Sequence, residues 1–147
     1  MKGIVAISFA IICILGFTSC SNDSFLFKNG SYTNLDKAIK HSDKVEYLSL
    51  SDQNIRDFPL EILAMKNLRV LNLSRTNISI IPPEIDQLQQ LEYLNLTGNS
   101  IQELPEELTR LKELNYLVLS YNNISEEEIK WLRIQMPNCK IVDAILL

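Results

Sequence analysis

Leu68-Arg-Val-Leu71-Asn-Leu73 decides the fold, because its apolar template occurs four times in the chain at a constant interval of 23 residues. Every copy has aliphatic residues at relative positions 1, 4 and 6. The other copies are Val45-Glu-Tyr-Leu48-Ser-Leu50, Leu91-Glu-Tyr-Leu94-Asn-Leu96 and Leu114-Asn-Tyr-Leu117-Val-Leu119. Positions 4 and 6 alternate as a half-buried β-strand requires. The sequence therefore predicts a series of equally spaced strands.

The second half of each unit predicts a turn and a short helical piece. An isoleucine recurs at position 11, and three units continue with Phe58-Pro59, Ile81-Pro82 and Leu104-Pro105. The locked φ angle of proline suits the first turn of an α- or 3₁₀ helix. The aliphatic residues that follow would form the inward face of that piece. They are Ile62, Ile85, Leu88, Leu108 and Leu111.

One such unit cannot bury its own apolar edge, so the units must stack and their leucines must form a continuous column. This pattern resembles the leucine-rich repeat family, in the 23-residue class LxxLxLxxNxLxxLPxxIxxLxx, from about Val45 to Met136. The resemblance implies an α/β solenoid. A short curved parallel sheet would line the concave side, short helical or 3₁₀ turns would line the convex side, and a helical cap would cover the N-terminal end.

Position 9 is where the first two units depart from the family pattern. In the family, an asparagine at this position bonds the backbone of neighbouring turns. Asn99 and Asn122 match that pattern, whereas Gln53 and Thr76 replace the asparagine in the first two units. All four side chains can form hydrogen bonds, so the fold prediction stands, with less regular first turns.

Residues 34–44 predict a helical cap before the first repeat, with Leu35, Ala38 and Ile39 on one helical face. The repeats at 45–136 end in an amphipathic helix that Pro137 stops.

Residues 137–147 predict a C-terminal edge strand or cap. We expect a strand at 138–143, with Cys139 and Ile141 pointing inward. Cys139 would then be a small buried hydrophobe rather than a nucleophile. The final residues 144–147 are apolar, and they either fold over the end of the core or fray.

Residues 1–19 have the pattern of a secretory signal. Lys2 precedes an apolar stretch that ends at Phe17 and is shorter than the ~20 residues of a membrane-spanning helix. The small residues Thr18-Ser19 then precede Cys20, as in the lipobox of bacterial lipoproteins, although Phe17 stands where that motif usually has leucine. This resemblance implies cleavage before Cys20 and lipidation of Cys20, with residues 20–33 as a tether. The alternatives are a plain signal peptide and a retained membrane anchor.

Charge and cysteine content exclude several classes of function. Without residues 1–19 the chain has 18 acidic and 13 basic residues, a net charge of −5. That balance argues against a nucleic-acid partner and against docking on anionic lipid headgroups. Only Cys139 then remains as a free thiol, so no disulfide framework is available. With His41 as the single histidine, neither a Cys/His zinc site nor a histidine-dependent catalytic pair is expected.

Acidic clusters are the remaining candidates for chemistry, and they have a structural explanation. They are Glu103, Glu106-Glu107 and Glu126-Glu127-Glu128. Each falls in the first turn of a helical piece, where carboxylates complement the positive helix end. Ser125 and Glu128 have the spacing of a capping box, and no calcium-loop motif accompanies them. We therefore predict no catalytic residues, no metal site and no cofactor.

Function then depends on what the strands show to solvent on the concave face. Position 3 places Tyr47, Tyr93 and Tyr116 in a ladder, because parallel strands lie about 4.8 Å apart. Tyrosine and arginine are enriched in interface hot spots, although tyrosine is also simply a good strand former. Arg69 and Arg75 would orient acidic groups of the partner. The predicted partner-binding residues are Tyr47, Arg69, Val70, Asn72, Arg75, Tyr93, Asn95, Tyr116, Val118 and Tyr121.

These features favour a monomeric, non-enzymatic lipoprotein that is exported, tethered at the bacterial outer membrane, and binds a protein or peptide through its concave face. The alternative function is a glycan- or small-ligand-binding module on the same face, and the alternative location is secretion in soluble form. A patch of about five strands measures only ~300–400 Å², against ~800 Å² per partner in a standard interface. We therefore expect further contacts from loops, or avidity from many tethered copies.

Overall fold

The computed structural model describes residues 30–143. The predicted signal, the lipidation site Cys20 and residues 144–147 lie outside the described residues. In chain order the elements are β1 (Ser31–Tyr32), α1 (Leu35–Ile39), a 3₁₀ helix at Ser42–Lys44, β2 (Tyr47–Ser49), a 3₁₀ helix at Leu60–Ala64, β3 (Val70–Asn72), a 3₁₀ helix at Pro83–Gln87, β4 (Tyr93–Asn95), a 3₁₀ helix at Glu106–Arg110, β5 (Tyr116–Val118), α2 (Glu126–Gln135) and β6 (Lys140–Val142).

The strands form one parallel sheet in sequential order, and the 23-residue interval fixes their register. Leu48 pairs with Leu71, Leu71 with Leu94, and Leu94 with Leu117. All four leucines are completely buried. The predicted internal column is therefore confirmed, and the molecule is a leucine-rich solenoid with a curved, open sheet on its concave side.

The convex side consists of short 3₁₀ helices that begin directly after prolines. Pro59, Pro82 and Pro105 lie at the N-cap positions, with extended backbone that leads into the helical turn. Each helix is five residues long and turns one or two aliphatic side chains into the core. The predicted sequence of strand, turn and short helical piece is confirmed in these three units.

Position 9 forms the expected hydrogen-bond ladder where asparagine is present. Asn99 donates from Nδ2 to the carbonyls of Leu73 and Leu96, in two successive turns. Asn122 repeats the arrangement one turn later, with donations to Leu96 and Leu119. In the first unit Gln53 instead donates to the carbonyl of Thr33, outside the core. The first turn therefore departs from the regular ladder.

The N-terminal cap is a helix of a single turn. The side chain of Asn34 caps it by accepting from the backbone N–H of Lys37 at 3.0 Å. Ala38 is buried and Leu35 packs against the core, as predicted. The expectation that Ile39 also points inward is wrong, because this residue is exposed. A helix of five residues has one turn available to contact the core, and Ile39 lies at its outer end.

The C-terminal cap is helix α2, which ends before Pro137 as predicted. Ile129 and Leu132 are buried on its inner face. Ser125 caps the helix by accepting from the backbone N–H of Glu128 at 3.2 Å. In a capping box the carboxylate of Glu128 would accept from the backbone N–H of Ser125. Here the carboxylate of Glu128 instead accepts from the backbone N–H of Leu104. The helix cap therefore also fixes the neighbouring repeat.

Strand β6 closes the C-terminal end of the sheet, as the sequence predicts. Ile141 is buried and Cys139 is half-buried against the same core. Burial raises the pKa of the Cys139 thiol to about 11.

The solenoid begins one strand earlier than expected. The sequence assigns residues 20–33 to a tether, but Ser31–Tyr32 forms strand β1 and pairs with Tyr47 and Leu48. The carbonyl of Gly30 accepts from the backbone N–H groups of Glu46 and Tyr47. Gly30 has a φ angle of +109°, and a Cβ atom there would lie 2.7 Å from a backbone oxygen. A strand of two residues is too short to show an alternating pattern, so the sequence gives no signal for it.

Candidate binding face on the concave side

The concave side of the sheet carries an apolar cluster that is separate from the solenoid core. Val70, Tyr93 and Val118 are its buried members. Tyr47, Tyr116 and Val142 are half-buried and pack against them. We call these six residues the concave strip. The leucine column on the other face of the sheet already holds the strands together, so the solenoid does not need a second apolar cluster to close its core.

The predicted tyrosine ladder is present in the backbone register. Tyr47 pairs with Val70, Val70 with Tyr93, and Tyr93 with Tyr116. The Tyr93 and Tyr116 ring centroids lie 6.3 Å apart, with the ring planes tilted by 38°. Lys140 extends the row, with its Nζ 5.8 Å from the centroid of the Tyr116 ring, a cation–π distance.

The sequence predicts that the whole row faces solvent, and this prediction is wrong for the residues in its middle. Tyr93 is 0% exposed, and Val70 and Val118 are also buried. The rings and branched side chains of neighbouring strands pack side by side, because the strands lie only about 4.8 Å apart. Burial raises the pKa of Tyr93 to about 12. Among residues 30–143, the Tyr93 hydroxyl has no hydrogen-bond partner.

Asn72 and Asn95 were expected to contact a partner, but both are buried and used within the chain. Asn72 Oδ1 accepts from the backbone N–H of Ser74 at 3.0 Å. Asn95 Oδ1 accepts from the backbone N–H and the hydroxyl of Thr97, at 3.0 and 2.6 Å. These are Asx turns, in which the side chain bonds the backbone two residues further on. The Asn-x-Ser/Thr spacing was the sequence signal for this role.

Arg69 and Arg75 were expected to orient acidic groups of a partner, but each already holds a carboxylate of this chain. Arg69 forms an ion pair with Glu92 at 2.6 Å. Arg75 binds Asp52 through Nε and Nη2, at 2.5 and 2.9 Å. Both pairs join equivalent positions of adjacent repeats. The hydrogen bond from Arg75 is the main cause that lowers the pKa of the Asp52 carboxyl.

The residues that follow the strands repeat a left-handed turn, which sequence reasoning missed. Asp52, Arg75, Gly98 and Tyr121 occupy the same position in successive units, and their φ angles lie between +55° and +69°. A Cβ atom on Gly98 would lie 3.0 Å from Cγ of Arg75. This turn directs the side chain of Tyr121 to solvent, where it is 48% exposed. The glycine at this position was the available signal.

Sequence reasoning also missed three residues of this face, namely Lys140, Val142 and Glu92. Tyr116 pairs with Lys140 and Val118 with Val142, which is one residue out of step with the repeat. Because the 23-residue interval would place residue 139 opposite Tyr116, it does not give the register of β6. Glu92 is largely buried beside Arg69, and its Oε2 has no hydrogen-bond partner in the part of the chain that the structure describes.

Metal and membrane features can be judged only for residues 30–143. No group of three or more His, Cys, Asp or Glu side chains in that range could hold a metal ion. The helices of that range are also too short or too polar to cross a membrane.

The comparison with protein families decides the assignment. The leucine rich repeat family model matches residues 43–101 and 68–124, which together cover more than half of the chain. The chain belongs to the leucine-rich repeat family. A search of curated proteins found no match for this leucine-rich repeat chain.

Solved structures of other leucine-rich repeat proteins are similar. One is a leucine-rich repeat protein of Leptospira interrogans, 29% identical with a TM-score of 0.57, over 76% of this chain and 34% of that chain. A second is the ectodomain of the Arabidopsis thaliana receptor kinase GASSHO1/SCHENGEN3 in complex with CASPARIAN STRIP INTEGRITY FACTOR 2, 28% identical with a TM-score of 0.57, over 69% of this chain and 13% of that chain.

A third is the plant peptide hormone receptor RGFR1 in complex with RGF2, 31% identical with a TM-score of 0.57, over 72% of this chain and 18% of that chain. The present chain spans about a third or less of each of these three proteins. The likeness therefore concerns the repeat fold, and the activities of the whole proteins are not carried over with it.

Proposed function

We propose that this leucine-rich repeat protein is a non-enzymatic, monomeric binding module that takes a protein or peptide partner on its concave side. The observation that carries the proposal is the concave strip, an apolar cluster outside the solenoid core. Val70, Tyr93 and Val118 are buried at its centre, and the half-buried Tyr47, Tyr116 and Val142 are the part of the strip that a partner could contact. Two of the similar plant receptors were solved in complexes with the ligands named above, which supports a peptide as the class of partner.

The edges of the concave strip supply the contacts around its apolar centre. Tyr47 and Tyr116 are half-buried at its two sides, and Tyr121 is exposed beside them. Lys140 adds a positive charge next to the Tyr116 ring. Rigid aromatic side chains contribute contact area at little entropic cost, and a polar rim excludes water around them. An apolar side chain of the partner would lie over the strip, with an acidic group near Lys140.

The face is small, so the contact should be modest in affinity for a single copy. Six strands about 4.8 Å apart span roughly 24 Å from edge to edge. A standard interface needs about 800 Å² per partner, so flanking loops or several tethered copies must add to the strip.

Binding can be tested with peptides selected from a displayed random library on the immobilised protein. The variant Tyr47→Ser/Tyr116→Ser should weaken the selected peptide at least about tenfold, because interface aromatics carry much of the binding energy. The matched control is Leu60→Ser/Ile80→Ser on the convex side, at residues 60% and 71% exposed. The control should bind as the wild type does. Equal binding by the concave variant would contradict the proposal.

We further propose that the module works at the cell envelope of a bacterium, anchored by acyl chains on Cys20 at the outer membrane. Two or three acyl chains would make the anchoring effectively permanent, because each buried methylene contributes about 0.8 kcal/mol. Cys20 lies ten residues before Gly30, and an extended chain of that length reaches at most ~36 Å. The solenoid would therefore remain close to the bilayer surface.

Labelling with a clickable fatty acid tests the anchor. The wild type and Cys139→Ala should incorporate the label, whereas Cys20→Ala should not. Label that persists in Cys20→Ala would refute lipidation at this residue. Digestion of intact cells with a protease then reports which side of the membrane the solenoid faces.

A further inference from the structure

We infer that a groove on the convex side of the solenoid is a second docking site, which takes a basic segment of a partner protein with an aliphatic side chain at its centre. We call it the convex groove. Two adjacent repeat units line it, with residues 79–81 from the second unit and with Ser100 and residues 102–105 from the third. The inference does not depend on the proposed function, because none of these residues belongs to the concave strip.

The centre of the convex groove is apolar, and Ile80 is its most exposed apolar side chain. Ile80 is 71% exposed, whereas Ile81 and Leu104 of the same groove belong to the solenoid core. Pro105, which also lines the groove, is half-buried. A single exposed aliphatic residue is ordinary on a protein surface, but this one lies in an open concavity of about 500 Å³. An aliphatic side chain of a partner therefore has room to contact Ile80.

The fold does not require an aliphatic residue where Ile80 stands. Ile80 occupies position 13 of its repeat unit, and the same position carries Asp57 in the first unit and Glu103 in the third. All three side chains are exposed. Side chains at equivalent positions of adjacent units are neighbours in a solenoid, so an acidic group flanks Ile80 on each side.

The carboxylates around the convex groove are available to a cationic partner. Neither Asp57 nor Glu103 forms an ion pair or a side-chain hydrogen bond within residues 30–143. The acidic first turn of α2 lies against the same groove, because the carboxylate of Glu128 accepts from the backbone N–H of Leu104 at 3.3 Å. The groove therefore combines an apolar centre with an acidic rim.

This charge pattern selects a basic occupant. Arg56 stands one repeat unit before Ser79 and offsets part of the acidic charge at the N-terminal end of the groove. The end formed by Glu103 and α2 stays acidic, so a lysine or arginine of the partner would lie there. The same carboxylates would repel an anionic membrane surface. They also disfavour a second copy of this chain, whose net charge is −4.

The polar side chains of the convex groove favour a polypeptide as the occupant. Ser79, Ser100 and Gln102 line the groove. Their hydroxyl and amide groups have no hydrogen-bond partner in the part of the chain that the structure describes. Hydroxyl and amide groups both donate and accept, so they can bond the N–H and carbonyl groups of an extended segment.

Fluorescence anisotropy of the labelled peptide Lys-Arg-Leu-Arg-Lys with the full-length chain tests the apolar contact. Ile80→Ser should weaken binding at least about threefold, because the leucine of the peptide loses its apolar partner. The matched control is Leu60→Ser, at an equally apolar residue outside the groove that is 60% exposed. Leu60→Ser should bind as the wild type does. Equal binding by Ile80→Ser and Leu60→Ser would overturn the inference.

A second pair of variants tests the acidic rim at constant change of net charge. Asp57→Asn/Glu103→Gln should weaken binding of Lys-Arg-Leu-Arg-Lys at least about threefold, because two ion pairs at the rim are lost. The control Glu61→Gln/Glu84→Gln removes two exposed carboxylates outside the groove and should change the affinity by less than about 1.5-fold. Equal losses in the two variants would show attraction by net charge alone and would overturn the inference.

A photo-crosslink locates the peptide on the molecule. Lys-Arg-Leu-Arg-Lys with photo-leucine at its centre should give crosslinks to residues 79–81 and 102–105. Crosslinks to the concave strip instead would overturn the inference.

The two disfavoured occupants can be tested with the same substitution. Vesicles of phosphatidylglycerol should bind the wild type and Ile80→Ser equally, and the two proteins should have equal sedimentation coefficients. Weaker vesicle binding by Ile80→Ser would assign Ile80 to a membrane contact. Loss of a dimer in Ile80→Ser would assign it to a second copy, and either result would overturn the inference.

The results are separable from those of the library-selected peptide. The concave variant Tyr47→Ser/Tyr116→Ser should bind Lys-Arg-Leu-Arg-Lys as the wild type does. If Ile80→Ser keeps the basic peptide and the concave variant loses the selected peptide, the inference fails and the proposed function stands. If Ile80→Ser loses the basic peptide and the concave variant keeps the selected peptide, the inference stands and the proposed function fails.

Discussion

The side-chain oxygen of Asn99 accepts a hydrogen bond from the backbone N–H of Thr76 at 3.1 Å, although the two residues are 23 positions apart. The same oxygen accepts from the backbone N–H of Ile78 at 3.1 Å. The amide nitrogen of Asn99 meanwhile donates to carbonyls in two turns. One buried side chain thus joins two adjacent repeats and satisfies backbone groups that have no strand partner.

Asn99→Ala should therefore destabilise the solenoid by about 2–4 kcal/mol, because buried N–H and carbonyl groups lose their partners at a cost of roughly 1–3 kcal/mol each. Urea denaturation followed by circular dichroism measures this change. Asn123→Ala, at an exposed neighbouring asparagine, is the control and should change the free energy of unfolding by less than about 0.5 kcal/mol. Equal effects of the two substitutions would contradict a structural role for position 9.

Leu94→Ala should cost about 2–5 kcal/mol, because Leu94 lies fully buried in the middle of the leucine column, between Leu71 and Leu117. Each repeat contacts only its neighbours, so a cavity at Leu94 should weaken the coupling between the two halves of the solenoid. Unfolding should then be less cooperative, and the slope of the denaturation curve should also fall. Ile80→Ala is the matched control, since Ile80 is exposed on the convex side. A near-neutral Leu94→Ala variant would argue against the column.

Stability should fall at high pH through Tyr93. Its pKa is raised from 10.0 to about 12 by burial, so the folded state holds the phenol proton more tightly than the unfolded state does. The stabilisation is complete below pH 10 and is lost as the pH rises toward 12, with a size of up to about 2 kcal/mol. Over this window the free energy of unfolding of the wild type should therefore fall relative to that of Tyr93→Phe, which has no phenol to titrate. A difference that stays constant from pH 9 to pH 12 would contradict the burial of the ring.

Cys139 should react slowly with alkylating reagents in the native protein. Burial raises its thiol pKa from 9.0 to about 11, which lowers the thiolate fraction at pH 8 about 100-fold. Mass spectrometry of the peptide that contains Cys139 can compare the rates in native buffer and in urea. Rapid modification of Cys139 in native buffer would show that strand β6 does not cover the end of the core.

The solenoid was predictable because its period specifies register directly. Leucines 23 residues apart must become neighbours in a parallel sheet, and the prolines mark where each convex turn begins. Strand β1 was not predictable in this way. Its two residues depend on the carbonyl of Gly30 and the partner strand β2, and these long-range contacts leave no pattern in the sequence.

The binding face was only partly predictable. Alternation correctly placed Tyr47, Tyr93 and Tyr116 in one row, because side-chain direction follows from position in a strand. It could not give exposure, since the burial of Tyr93 depends on the side chains that pack beside it from neighbouring strands. It also could not show that Arg69 and Arg75 are already paired, because those contacts cross between repeats. The binding roles of Tyr47, Tyr116 and Tyr121 stay predictions.

The sharpest single measurement is a map of backbone amide shifts by NMR as the selected peptide is titrated into the isotope-labelled protein. We predict that the shifted amides cluster on β2 to β6 and on the turns that follow them, around Tyr47, Tyr116 and Tyr121. Shifts that cluster instead on the convex side, around Leu60 and Ile80, would contradict binding through the concave side.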